Sequence, residues 1–130
     1  MDICIIDDEK DNREILSFII NTYHKDVFIV GEADSVQNGI LLINATKPDL
    51  IFLDIDLPDG TGFDLIRLLH DHKPEIIFCT AYNQFALKAI ECSALGYVLK
   101  PIIKDSIADA LKKASAKLDV NHKVLQYEIL

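Results

Sequence analysis

The sequence lacks the features of membrane, secreted and repetitive proteins. None of its apolar stretches approaches the roughly 20 residues that a membrane-spanning helix needs. Its start, MDICIIDDEKD, has neither the basic opening nor the long apolar run of a signal peptide. It also contains no internal repeat, low-complexity tract or Pro/Gly-rich linker. With 130 residues, 50% hydrophobic and 26% charged, we predict one globular domain in the cytoplasm with no membrane partner.

Basic residues and cysteines are both scarce. The chain has 13 Lys and Arg residues and 21 Asp and Glu residues, which gives a formal net charge of -8. Such a surface repels phosphate backbones, so we do not expect this segment to bind DNA itself. The three cysteines form no C-x-x-C pair, and Cys4 and Cys79 lie in apolar runs. They are expected to be buried, reduced thiols without a metal or redox role.

Strand-like and helix-like segments alternate along the whole chain. Several strand candidates are continuous apolar runs, as in parallel strands that are buried on both faces. The strand candidates are residues 3–6, 27–33, 50–53, 76–80 and 97–99, and the helix candidates are 15–23, 35–43, 64–69, 83–91 and 107–118. This alternation predicts a doubly wound α/β domain with a single five-stranded parallel sheet. We expect the flavodoxin-like strand order 2-1-3-4-5, with a domain at residues 1–120 and the start of a linker or tail at 121–130.

Acidic residues follow two of the predicted strands. Asp7, Asp8 and Glu9 come directly after the first strand, and Asp54 and Asp56 after the third. In the expected strand order, the ligand crevice lies between these two strand ends. Clustered carboxylates repel one another unless a cation binds, and oxygen-only ligands favour Mg²⁺, with Mn²⁺ as a possible substitute. Glu9 is expected to be only a helix cap.

Two further strand ends supply groups that suit phosphoryl transfer. Thr80 closes the fourth strand and Lys100 follows the fifth. A hydroxyl and a compact ammonium can each contact an oxygen of a phosphoryl group. An aspartate can act as the nucleophile and form an acyl phosphate. Taken singly, Thr80 is an ordinary strand residue and Lys100 a surface lysine; the inference depends on their sharing one edge.

From residue 3 to about residue 118 the sequence resembles the receiver domains of two-component response regulators. The resemblance rests on Asp7-Asp8, FLDIDLPDGTGFDL around Asp54, Thr80-Ala81 and Lys100-Pro101, in family order and spacing. It implies that Asp54 is the phosphoacceptor for a sensor histidine kinase, so the domain is a signalling domain and not an enzyme. It also implies that Mg²⁺ is bound by Asp7, Asp8, Asp54 and the backbone carbonyl of Asp56. Phosphoryl contacts are implied for Thr80, Lys100 and the backbone of Ala81. The peptide bond between Lys100 and Pro101 is implied to be cis.

The resemblance also implies a switch and two positions that tune dephosphorylation. Thr80 and Tyr97 match the switch pair, which would remodel the surface formed by the fourth helix, fifth strand and fifth helix. Simple packing of Tyr97 is the alternative. Asp56 and Tyr82 match the family-variable positions that influence loss of the phosphoryl group, so its lifetime is not predictable.

The stretch TAYNQFALKAIECSALGYVLKP, at residues 80–101, is similar to receivers attached to LytTR-type DNA-binding domains. The resemblance therefore implies a homodimer on phosphorylation and DNA contact only through a C-terminal output domain absent from this chain. A stand-alone single-domain receiver is the alternative.

Three other functional classes fit the sequence less well. Asp54-Ile55-Asp56 resembles the start of haloacid-dehalogenase-like phosphatases, but Pro58 departs from that motif and the chain is short for that fold. A flavin carrier would need a phosphate-binding loop after the first strand, where this chain has carboxylates. A receiver fold that only mediates contacts would not need the complete set of site residues.

Overall fold

The computed structural model describes the backbone of residues 1–129 and the side chains of residues 1–121. Strands and helices alternate as predicted, with one additional short hairpin. The elements are β1 (Asp2–Ile6), α1 (Lys10–Tyr23), β2 (Phe28–Ala33), α2 (Val36–Thr46), β3 (Leu50–Leu53), β4 (Asp56–Leu57), β5 (Gly60–Thr61), α3 (Gly62–Leu68), β6 (Glu75–Thr80), α4 (Ala86–Glu91), β7 (Gly96–Leu99) and α5 (Lys104–Ile129). Within the described part of the chain, no helix is both long and apolar enough to span a membrane.

The five longer strands form one parallel sheet in the order β2-β1-β3-β6-β7. This is the predicted order 2-1-3-4-5, because β4 and β5 lie outside the sheet and form their own antiparallel pair. The reversal of strand order between β1 and β3 opens the crevice expected there. The fold class is confirmed.

The sheet separates two apolar layers. On one side α1 and α5 cover the sheet, and on the other α2, α3 and α4 do. The first layer includes Ile5, Leu16, Ile20, Phe52, Ile107, Leu111 and Ala114, and the second includes Ile6, Ile43, Leu53, Phe63, Leu65, Phe78 and Ala89. Each fully buried aliphatic side chain contributes roughly 1.5–3 kcal/mol. The three central strands β1, β3 and β6 are therefore buried on both faces, as their continuous apolar runs predicted.

The edge strand β2 contains a bulge that sets the direction of its side chains. Ile3 pairs with Ile29, but the next residue of β1, Cys4, pairs with Gly31, so Val30 is extra. After the bulge Gly31 faces α2, where an added Cβ would lie 2.4 Å from Leu42 Cδ1. Its neighbour on the other face is Glu32, which therefore points toward α1.

The start of α2 has a side-chain cap, whereas the start of α4 has none. Ser35, the first residue of the second predicted helix, is the N-cap of α2, and its hydroxyl accepts a hydrogen bond from the Asn38 amide at 3.1 Å. The helix expected from residue 83 begins only at Ala86, and no side chain caps its start. α5 continues as one helix through residue 120, so the division expected there stays a prediction.

Two cysteines lie in the core. Cys4 and Cys79 are free and buried, as expected. Burial raises the pKa of the Cys79 thiol to about 12, so this thiol stays protonated at neutral pH.

Candidate functional site

The carboxyl ends of β1 and β3 bring three aspartates together. Asp7 and Asp54 are each only 5% exposed, whereas Asp8 is exposed. One carboxylate oxygen from each residue can be chosen so that all three lie within 4.8 Å of one another. The convergence predicted from two separate stretches of sequence is therefore present.

Lys100 lies between the two buried carboxylates. Its Nζ is 2.8 Å from Asp7 Oδ2 and 2.9 Å from Asp54 Oδ2. Burial alone would lower the pKa of Lys100, but the hydrogen bonds to Asp7 and Asp54 outweigh it and hold the pKa above its usual value. Lys100 is therefore charged at neutral pH. The peptide bond between Lys100 and Pro101 is cis.

The aspartates retain excess negative charge despite Lys100. Burial raises the pKa of Asp7, and hydrogen bonding to Lys100 only partly offsets it. Partial burial and then repulsion from Asp54 raise the pKa of Asp8. Three carboxylates and one ammonium sum to a formal charge of -2. A cluster of oxygen donors with this charge and one open side fits a divalent hard cation such as Mg²⁺.

Thr80 and Lys100 are held next to each other by the sheet. Thr80 is the last residue of β6 and is completely buried, and its carbonyl accepts a hydrogen bond from the Lys100 amide at 2.8 Å. The Thr80 hydroxyl is 3.4 Å from the Tyr82 amide. Ala81, between them, is exposed at the same edge of the sheet. Carboxylates, hydroxyl and ammonium thus come from four neighbouring strand ends.

Aromatic and acidic side chains continue from this edge toward α4. The Tyr82 hydroxyl is 3.4 Å from Asp56 Oδ2, and the Tyr97 hydroxyl donates to the Tyr82 carbonyl. The Asp56 amide also lies 3.4 Å from Asp54 Oδ1. Residues 56, 82 and 97 are therefore connected through contacts that begin at Asp54.

Comparison with known proteins matches the same residues to one family. The family model of the response regulator receiver domain matches residues 3–112. This chain is a response regulator receiver domain. It is 44% identical to the sensory transduction protein LytT of Enterococcus faecalis over 91% of this chain and 49% of that protein. It is 37% identical to the positive alginate biosynthesis regulatory protein of Pseudomonas aeruginosa, over 88% of this chain and 47% of that protein.

Solved structures agree with this assignment. The response regulatory domain of mrkE from Klebsiella pneumoniae superposes with a TM-score of 0.82 at 35% identity, covering 92% of this chain and 98% of that one. The receiver domain of AraT from Geobacillus stearothermophilus gives a TM-score of 0.83 at 25% identity, with coverages of 93% and 97%. The receiver chain spans about half the length of the curated relatives that it matches.

Three residues support this receiver site through contacts that the sequence did not reveal. Asp59 accepts hydrogen bonds from the Val36 amide at 2.7 Å and the Gln37 amide at 3.0 Å, which joins the loop after Asp54 to the start of α2. These bonds lower the pKa of Asp59.

The other two supporting residues touch the backbone of the aspartates. Gly62 has no room for a side chain, since an added Cβ would lie 2.6 Å from the Asp54 carbonyl oxygen. Arg13 Nη1 donates to the Asp7 carbonyl at 2.7 Å. Arg13 lies before the predicted helix at residues 15–23 and carried no signal in the sequence.

Proposed function

We propose that this receiver domain accepts a phosphoryl group on Asp54 in a Mg²⁺-dependent reaction with a sensor histidine kinase. The observation that carries the proposal is the geometry around Asp54. Its carboxylate is buried beside Asp7 and Asp8, within 4.8 Å of their oxygens, and 2.9 Å from the Lys100 ammonium.

The reaction forms an acyl phosphate on this chain. A carboxylate oxygen of Asp54 attacks the phosphorus of a phosphohistidine as the P–N bond breaks. The electron pair of the P–N bond stays on the imidazole nitrogen. Asp7, Asp8, Asp54 and the Asp56 backbone carbonyl would hold Mg²⁺, or Mn²⁺ in its place. When bound by these residues, such an ion would supply positive charge that neutralises the transferred group.

The other residues of the site act on the phosphoryl oxygens. The Lys100 ammonium would pair with one oxygen, and the Thr80 hydroxyl and Ala81 amide would donate to others. The domain thereby promotes its own phosphorylation while remaining a signalling protein. Asp56 and Tyr82, whose side chains meet at 3.4 Å at the edge of the site, would control how readily water reaches the acyl phosphate.

Phosphorylation is proposed to reach the surface through Thr80 and Tyr97. A phosphoryl group that draws in the Thr80 hydroxyl would shift the segment whose Tyr82 carbonyl accepts from Tyr97. That movement would remodel the surface of α4, β7 and α5. Leu87 and Ile90 of α4 are 69% and 71% exposed there, and their burial would favour a homodimer.

The output of the whole protein is proposed from its relatives. Those named above are a sensory transduction protein and a regulator of alginate biosynthesis, and each is about twice the length of this chain. We propose that the domain controls transcription through a LytTR-type DNA-binding domain that lies outside this sequence. A stand-alone receiver is the alternative, and the residues encoded after Leu130 would distinguish them.

Incubation with acetyl phosphate and Mg²⁺, followed by intact-protein mass measurement, tests the central step. We expect one hydroxylamine-labile phosphoryl adduct that requires the metal and is absent in Asp54→Asn. Asp11→Asn, an exposed carboxylate in α1, is the matched control and should be modified like the wild type. Persistence of the adduct in Asp54→Asn would refute the assignment, and sustained turnover of a phosphomonoester would favour a phosphatase instead.

A further inference from the structure

Arg13 connects the loop that carries Asp7 and Asp8 to the edge strand β2 of the sheet. Its side chain is only 19% exposed. Nη1 donates to the backbone carbonyl of Asp7 at 2.7 Å, and Nε lies 3.4 Å from Glu32 Oε1. One planar guanidinium therefore contacts two partners through two different nitrogens.

The Asp7 carbonyl belongs to the peptide that joins Asp7 to Asp8. Rotation of this peptide would move both carboxylates relative to Asp54 at once. Residues on either side of the peptide are already fixed, since the Asp7 amide donates to the Ala33 carbonyl at 3.0 Å and the Glu9 amide to Asp7 Oδ1 at 2.9 Å. The contact from Arg13 fixes the peptide itself.

Glu32 in turn orients Arg13. It lies after the bulge in β2, with its side chain 40% exposed, and its second carboxylate oxygen is 3.4 Å from the Ser17 hydroxyl. The carboxylate is thus held between two residues one turn apart on α1 while it accepts from the guanidinium. The connection runs from the edge strand through Glu32 and Arg13 to the peptide between the two aspartates.

We propose that Arg13 is a positioning residue for the metal site, oriented by Glu32, which sets Asp7 and Asp8 at the separation from Asp54 that a divalent ion needs. The inference rests on the proposed Mg²⁺-dependent function. Arg13 itself contacts neither the ion nor the phosphoryl group. Groups that orient metal ligands from behind change metal affinity by on the order of 10- to 100-fold.

Magnesium titration of the unphosphorylated protein, followed by NMR or calorimetry, tests the proposal. Arg13→Gln should weaken Mg²⁺ binding by about tenfold, at the lower end of that range because it removes only one of the contacts to the loop. Arg13→Lys should be intermediate, since one ammonium reaches either partner but not both. Glu32→Gln should weaken binding less than Arg13→Gln because it leaves the contact with Asp7 in place.

Lys10→Gln is the matched control. It removes the same charge from the same helix, but the Lys10 side chain is 78% exposed and pairs with Glu14, on the same helix, at 3.8 Å. Its magnesium affinity should equal that of the wild type. The phosphorylation rate of Arg13→Gln should return to the wild-type value at saturating Mg²⁺, because positioning the ligands alters affinity and leaves Asp54 and Lys100 in place.

Amide hydrogen exchange in metal-free protein gives a second readout. The Glu9 amide, which donates to Asp7, should exchange faster in Arg13→Gln than in Lys10→Gln. Wild-type magnesium affinity in a folded Arg13→Gln protein would overturn the proposal. If Arg13→Gln does not fold, an unchanged affinity in Arg13→Lys and Glu32→Gln would overturn it equally. Wild-type protein that takes up no Mg²⁺ would instead refute the proposed function.

Discussion

Two connections leave the site and lead to helices of similar length, but they are built differently. After Asp54 the chain forms the β4–β5 hairpin and enters α3 through a capping box between Thr61 and Asp64, and α3 buries Phe63 and Leu65. After Thr80 it enters α4 with no side-chain cap, and only Ala89 of that helix is buried. One connection is fixed at several points, and the other at few.

Under the proposed function, the firmly fixed connection would hold the phosphoryl group and the weakly fixed one would transmit its arrival. The Asp54 connection is fixed further by Asp59 at the start of α2, so Asp54, the proposed phosphoacceptor, is expected to keep its position relative to Asp7. The Thr80 connection has few buried contacts to lose when it shifts. Segments that move in switching are expected among such weakly held parts of a domain.

Removing the anchor of α3 should have the largest effect. Phe63 is 5% exposed and packs against Phe78 at a ring-centroid distance of 4.9 Å. Phe63→Ala should lower the free energy of unfolding by about 3–5 kcal/mol, measured by urea denaturation. Leu87→Ala in α4, where the side chain is 69% exposed, should change it by no more than about 0.5 kcal/mol. Equal losses would contradict the contrast.

Phosphorylation should change α4 and leave α3 unaffected. With acetyl phosphate and Mg²⁺, we expect amide hydrogen exchange in α4 to change by about tenfold, equivalent to about 1.4 kcal/mol, because its contacts are rearranged. Mass spectrometry on peptic fragments would measure both helices at once. Tyr97→Ala should remove the response while the adduct still forms. A response of the same size in α3 would show that the fixed connection also moves.

Loss of the capping box should have a moderate effect. In Thr61→Ala the Asp64 amide loses its acceptor, which should cost about 1 kcal/mol, measured by the urea midpoint. The start of α4 has no side-chain cap that a substitution could remove. Thr22→Ala, at an exposed position inside α1, is a control that removes the same hydroxyl without removing a cap, and its stability should stay near the wild-type value.

Neutralising Asp8, the exposed carboxylate of the site, should have the smallest effect on the free energy of unfolding. Unlike the substitutions above, it should raise this free energy. Because the pKa of Asp8 is raised in the folded protein, the native state binds more protons than the unfolded state just above the usual carboxylate range. Its contribution to stability therefore falls as pH rises through that range and is unfavourable at neutral pH. Asp8→Asn should stabilise metal-free protein by at most about 0.5 kcal/mol, since exposure and salt screen the repulsion.

Thermal unfolding with and without Mg²⁺ checks this prediction. Wild-type protein should gain stability from the ion, whereas Asp8→Asn should gain much less. A destabilised metal-free variant would show that Asp8 contributes favourable contacts that outweigh its repulsion.

The grouping of the candidate site residues at one edge of the sheet was predictable because it depends on patterns that sequence displays directly. Continuous apolar strands specify a parallel sheet, and in such a sheet the residues after each strand meet at one edge, which brought Asp7, Asp54, Thr80 and Lys100 together. The LytTR-type similarity of residues 80–101 agrees with the LytT relatives. The assignment of individual roles within the site stays a prediction.

Other features depend on contacts that the local sequence does not show. The β4–β5 ladder pairs only two residues from each strand, too few for a periodic pattern. The late start of α4 at Ala86 is not visible in residues 83–91, which have helical spacing throughout. The role of Arg13 requires knowledge of where the Asp7 carbonyl points, which depends on tertiary structure.

The extra residue in the edge strand has a consequence for how β2 tolerates shortening. Deleting Val30 would leave an uninterrupted alternation with the same pairing to β1, so Glu32 would still reach Arg13. Deleting the adjacent Gly31 instead would slide Val30 into a place where a Cβ lies 2.4 Å from Leu42. Two neighbouring single-residue deletions should therefore differ, one leaving the packing against α2 unchanged and the other requiring the Leu42 side chain to move.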